Sequence, residues 1–227
     1  MLLPLFLFGV LMSEQIRRVA VWSGWLRLAH WSLAGSALFL LTTGWLIGHA
    51  PALAADAAEL HYLGASLLVF ALGLRAFLGF FGRGAERFEY LLPRRSEIDA
   101  IRASLLFYLS LGKSPLPSWF AHNPLWKPLY LVLFVALVLL ALSGWLMPDM
   151  PVIGRLYLPR VHGWLANAVA VFIAIHLFSV ILQDIRGQNA DISAMVGGSR
   201  YFSVDREGLV KPEPPKVSIK LDDIGKR

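Results

Sequence analysis

The sequence predicts an all-α integral membrane protein, a four-helix bundle with both termini in the cytoplasm, and three observations carry that prediction. The chain is 57% hydrophobic and only 16% charged, with a mean hydropathy of +0.60, which is too apolar for an ordinary soluble domain. Four apolar segments are long enough to cross a bilayer as helices, which takes about 20 residues. The basic residues, finally, are shared very unequally between the two ends of those segments.

Residues Met1 to Met12 are apolar but lack a basic leader and a small-residue cleavage site, and they are too short to span. Either Met12 is the natural start or the segment is a short interfacial anchor. Span one is expected from about Leu26 to Gly48 and span two from about Leu60 to Phe81. About forty residues follow, rich in Arg83, Arg87, Arg94, Arg95 and Arg102. Within them Ile98 to Phe107 reads as an amphipathic helix along the cytoplasmic interface, too short and too charged to cross. Ser114-Pro115-Leu116-Pro117 stops any helical continuation.

Span three is expected from Pro124 to Met147; its run from Leu129 to Leu137 has no place on a water-exposed surface. Span four follows from Val161 to Gln183. The tail carries mixed charges and Pro212, Pro214 and Pro215, so its last fifteen or so residues are expected to be flexible. This divides the chain into an N-terminal segment (1–25), a membrane domain (26–184) and a cytoplasmic tail (185–227). No solenoid-type repeat is present. Thr43-Gly44-Trp45 is echoed by Ser143-Gly144-Trp145 at the outer ends of spans one and three, a pattern read as interfacial Trp anchoring.

The net charge of +6 raises nucleic acid as a partner, but its distribution argues for topology instead. The loop from Ile47 to Glu59 has no Lys or Arg, and that from Pro148 to Arg160 has only Arg155 and Arg160. The remaining nineteen basic residues lie toward or beyond the opposite ends of the spans, a positive-inside pattern with no call for nucleic acid. The absence of cysteine excludes disulfides, iron–sulfur ligation by this chain, thiolate catalysis and covalent c-type haem attachment.

Histidine is the informative residue. His162 and His176 lie fourteen residues apart in span four, close to four turns, so they share one face about 21 Å apart along the axis. An imidazole in hydrocarbon is by default a functional-site hypothesis. Helix direction then sorts the histidines by depth. His30 at the start of span one and His176 fall in the cytoplasmic half, whereas His61 in span two and His162 fall in the periplasmic half. Two pairs at two depths predict two haems, each bound by two imidazoles and left without an open site for oxygen chemistry.

Zinc is the chemical competitor, but it needs three or four ligands converging on one point. A hydrogen-bonded structural role suits any one of these histidines better than it suits the matched set. Gly35, Gly64 and Gly163 either admit a macrocycle to the backbone or allow close helix packing. Arg27 and Arg75 inside, and Arg155 and Arg160 outside, either pair haem propionates or snorkel to the interface. His49 and His122 are read as surface or capping residues.

Several motifs carry a resemblance. Arg27-Leu28-Ala29-His30-Trp31 opens span one, His61 opens span two, and Arg75-Ala76-Phe77-Leu78-Gly79-Phe80-Phe81-Gly82 closes it. His122-Asn123-Pro124-Leu125 precedes span three, and the His162/His176 pair occupies span four. With these the chain, from about Val21 to Asp205, resembles the cytochrome b subunit of membrane-bound nickel–iron hydrogenases. That family sits in a wider group with the cytochrome b subunits of formate dehydrogenases and thiosulfate reductases. Asp184-Ile185-Arg186-Gly187 and the segment Ser193 to Phe202 are similar to the hydrogenase cytochromes in particular. The outer loop from Pro148 to Arg160 is short for that family, in which this region helps face the periplasmic enzyme.

The resemblance implies a bacterial inner-membrane electron-transfer subunit with two b-type haems. Hydrogenase small and large subunits would be its periplasmic partners, and quinone the acceptor, reduced near the cytoplasmic side. Helix-end residues around His30 and Arg75 are the candidate quinone region. Alternatives are a cytochrome b serving a periplasmic molybdenum enzyme, a stand-alone quinone-linked cytochrome b561, or a purely structural anchor. The last leaves the paired histidines unexplained.

Overall fold

In the computed structural model, described for residues 15–186 and 191–204, six helices and four short strands follow one another along the chain. The expectations for Met1 to Met12 and for the end of the tail lie outside the described residues. Strand β1 (Gln15–Ala20) leads into α1 (Gly24–His49), which starts at Ser23, whose hydroxyl accepts from Leu26 N at 3.1 Å. A 3₁₀ turn at Pro51–Leu53 reverses the chain into α2 (Ala54–Phe81). That helix begins six residues before the expected Leu60. Asp56 lies in its first turn, where a negative charge suits the helix dipole.

The amphipathic segment forms α3 (Ile98–Leu109), and the chain then runs to α4 (Trp126–Leu146). A hairpin of β2 (Val152–Ile153) and β3 (Leu156–Tyr157) turns at Gly154, with φ at +61°. Helix α5 (Leu158–Arg186) returns across the bundle, and α6 (Asp191–Gly197) and β4 (Ser199–Val204) end the described chain.

Four helices, α1, α2 with its leading turn, α4 and α5, are long and apolar enough to cross a membrane. The most apolar stretches of α4 and α5 bury only 11% of their residues inside the protein. Leu129, Val132, Val135, Leu139 and Leu142 of α4 are all exposed, an apolar surface of the kind that lipid covers. The core is correspondingly thin. Leu68 and Leu72 of α2, Leu137 and Leu140 of α4 and Val169 of α5 form it, with Leu33 and Leu40 of α1 packed alongside.

The strands are a departure from the all-helical expectation. β1 pairs antiparallel with β4, from Gln15 opposite Val204 to Ala20 opposite Ser199, which ties the N-terminal segment to the tail. The pairing continues into Val21 N and Trp22 N, which donate to Gly198 O at 2.9 and 3.0 Å. Gly198 has φ at +84°, and a Cβ there would lie 2.9 Å from Trp22 O. The bundle thus has a tail end, carrying the β1–β4 ribbon, α3 and α6, and a hairpin end, carrying β2–β3.

Candidate functional site

Four of the five histidines in the spanning helices meet in two pairs. At the tail end His30 of α1 faces His176 of α5, with ring centroids 6.4 Å apart and planes inclined by 63°. At the hairpin end His61 of α2 faces His162 of α5, at 6.3 Å and 64°. A metal–imidazole bond is about 2 Å and the ring centre lies about 1 Å further on, so two imidazoles on opposite sides of one iron have centroids about 6 Å apart. Both pairs have that spacing. Among the described residues no group of three His, Cys, Asp or Glu side chains converges to hold a metal ion.

Each hairpin-end imidazole is held by a hydroxyl from the preceding spanning helix. His61 Nδ1 lies 2.8 Å from Thr43 Oγ1, and His162 Nδ1 lies 3.0 Å from Ser143 Oγ. The adjacent glycines make room. A Cβ at Gly44 would touch His61 Cε1 at 3.4 Å, and one at Gly144 would press on His162 Cε1 at 3.2 Å. The Thr-Gly-Trp and Ser-Gly-Trp echo is therefore more than a pair of Trp anchors. At the tail end the environment differs: His176 Nδ1 is buried with no hydrogen-bond partner among the described residues. Phe172 stacks on that ring at 5.9 Å, and Trp126 and Tyr130 meet it edge-on.

Gly64 serves helix packing, because a Cβ there would come within 2.6 Å of Phe39 Cδ1 of α1. Gly35 and Gly163 face open space instead. Arg27 and Arg75 also reach other parts of the chain. Arg27 Nη1 donates to Val196 O at the end of α6, next to Trp31 Nε1, which donates to Met195 O. Arg75 Nη1 donates to Glu86 O at 3.0 Å, and its guanidinium lies 4.8 Å above the Phe88 ring. These two arginines fasten the tail and the long loop to the bundle. Arg155 and Arg160 are exposed at the hairpin end.

His49 stacks on Trp45 at the exposed end of α1, as a surface residue would. His122 is half-buried: it packs edge-on against Trp22 at 4.9 Å and Tyr130 at 6.0 Å. Burial pushes its pKa down to about 3, with the cations of Arg75, Lys127 and Arg200 adding to the effect, so the ring is neutral at physiological pH. The residue that shapes the start of α4 is Asn123, whose Oδ1 accepts from Leu125 N at 3.0 Å.

Sequence reasoning also missed Tyr108. Its hydroxyl accepts from Asn123 Nδ2 at 3.1 Å and Trp126 Nε1 at 2.9 Å, and it also meets the Gln183 amide. This cluster joins α3, α4 and α5 beside His176. Its members are far apart in sequence, so no local pattern announces it.

A family model described as prokaryotic cytochrome b561 matches residues 21–198. The chain belongs to that family. It is a cytochrome b561-type membrane protein, and the family implies b-type haem. This cytochrome b561-family chain is 26% identical to a protein of Azotobacter vinelandii named probable Ni/Fe-hydrogenase B-type cytochrome subunit, over 86% of this chain and 94% of that one. A protein of the same name from Cupriavidus necator is 24% identical, over 86% and 91%. One from Azotobacter chroococcum mcd 1 is 27% identical, over 86% and 94%. No solved structure matches the chain. The resemblance drawn from the sequence motifs is thus met both by the family and by the names of its relatives.

Proposed function

We propose that this cytochrome b561-family chain binds two b-type haems and carries electrons from a periplasmic nickel–iron hydrogenase to the quinone pool of a bacterial inner membrane. His30 and His176 would hold one haem iron, and His61 and His162 the other. The spacing of the two imidazole pairs carries this reading, since 6.4 and 6.3 Å between centroids suits one iron between each pair. When bound, the haems supply reversible one-electron transfer. The chain's own part is to fix the imidazoles from three helices and to surround them with apolar side chains that exclude water. The membrane domain is taken as residues 26–184.

Topology supports the direction. The Arg-rich loop, α6 and the β1–β4 ribbon lie together at the tail end, which the positive-inside rule puts in the cytoplasm with both termini. The hairpin end then faces the periplasm, and His61 and His162 are the pair nearer a donor there. The hydrogenase partner is supported by the names of the relatives.

The test is haem content and redox spectroscopy of the purified protein. His61→Ala or His162→Ala should each remove the same haem and leave the other, and His30→Ala or His176→Ala should remove the second. Absence of b-type haem in the native protein, or loss in another combination, overturns the assignment. Co-purification with nickel and iron–sulfur centres supports the hydrogenase donor. Molybdenum in their place would move the donor to a molybdenum enzyme.

A further inference from the structure

The hairpin-end pair is built from one structural unit used twice. In each helical hairpin, α1–α2 and α4–α5, a hydroxyl residue followed by glycine near the end of the first helix meets a histidine early in the second. Thr43 meets His61 eighteen residues on, and Ser143 meets His162 nineteen residues on. The tail-end pair does not share the device: His176 Nδ1 meets no polar partner among the described residues.

The hydrogen bonds of the two hydroxyls favour one direction for the proton. A hydroxyl has one proton to give. Thr43 Oγ1 lies 3.0 Å from Phe39 O and 3.2 Å from Leu40 O in its own helix, and Ser143 Oγ lies 3.1 Å from Leu140 O. When that proton goes to a backbone carbonyl, the oxygen accepts and Nδ1 of each imidazole carries a hydrogen, the same sense as the backbone hydrogen bonds that Leu40 and Leu140 make to the two rings. The neutral ring then has its lone pair on Nε2, the nitrogen free to bind a metal. A ligating histidine that donates its other N–H becomes a stronger electron donor, which favours the oxidised iron.

We propose that Thr43 and Ser143 are positioning residues that, together with the Leu40 and Leu140 backbones, hold His61 and His162 with Nδ1 protonated, and that the two hydroxyls lower the reduction potential of the haem between the rings. This rests on the two-haem reading above, and a single set of variants separates the two. Thr43→Val keeps the side-chain shape without the hydroxyl, and Ser143→Ala removes it at the other side. Thr43→Ser and Ser143→Thr keep it. The readouts are haem content, optically monitored redox titration, and electron paramagnetic resonance of the oxidised haems.

The expected result is that Thr43→Val and Ser143→Ala each raise one midpoint potential and shift one low-spin signal, with the double variant displaced further. The haem affected should be the one missing from His61→Ala. The second potential should stay in place, and the hydroxyl-retaining variants should keep native values. If the double variant sheds one haem, the two single variants carry the measurement. Two haems in the native protein with unmoved potentials and signals in both single variants would overturn the proposal while leaving the two-haem reading intact. Fewer than two haems in the native protein would overturn that reading itself.

Discussion

At the scale of single residues, the two glycines beside the hairpin-end histidines are as telling as the histidines. Gly144 allows His162 to lie against α4, since even one added carbon would approach Cε1 to 3.2 Å. Gly144→Val should therefore lower haem content from two toward one per chain, measured in detergent-purified protein. The neighbour relations of the four histidines were legible in the sequence because they follow from helix direction and a fourteen-residue spacing. The Ser/Thr–Gly pairs were visible as an echo, yet their meaning was not. Only a contact between successive helices shows that the hydroxyl and the imidazole meet, and such contacts leave no local period in the chain.

Among the elements, the spanning helices were legible to within a turn or two, because about 20 consecutive apolar residues admit few other readings. What joins the elements was not. Helix α3 is held to α4 and α5 through the Tyr108 hydroxyl, and Lys127 of α4 makes a largely shielded ion pair with Glu97 at the start of α3. Arg200 of β4 is fully buried, donates to Trp119 O and Phe120 O at 2.8 Å, and lies over the Trp119 ring. These tethers use polar groups from distant parts of the chain, where composition and periodicity carry no signal. Tyr108→Phe keeps the ring and removes the hydroxyl that meets the Asn123, Trp126 and Gln183 N–H groups. It should cost about 1–3 kcal/mol, the usual penalty for stranding buried donors, and appear as a lower unfolding midpoint in detergent.

For the whole molecule, the proposed direction of electron flow has an energetic consequence. Moving one charge across a potential of 100 mV involves about 2.3 kcal/mol, so the orientation of the bundle decides whether transfer works with the membrane potential or against it. The chain contains no cysteine, so single cysteines can be labelled without background. Val152→Cys in the hairpin should react with a membrane-impermeant thiol reagent in intact spheroplasts, and Ser96→Cys in the long loop only after permeabilisation. The reverse pattern would invert the topology.

The ribbon of β1 and β4 brings a further consequence, in the order of assembly. Its two strands flank all four spans, and β1 is synthesised long before its partner exists. The strands can pair only when an even number of spans lies between them, which puts both on one face of the bilayer. A chain in which any one helix fails to insert leaves β1 and β4 on opposite sides of the membrane, each with an open edge. Closure of the ribbon therefore requires an even number of inserted spans between its strands.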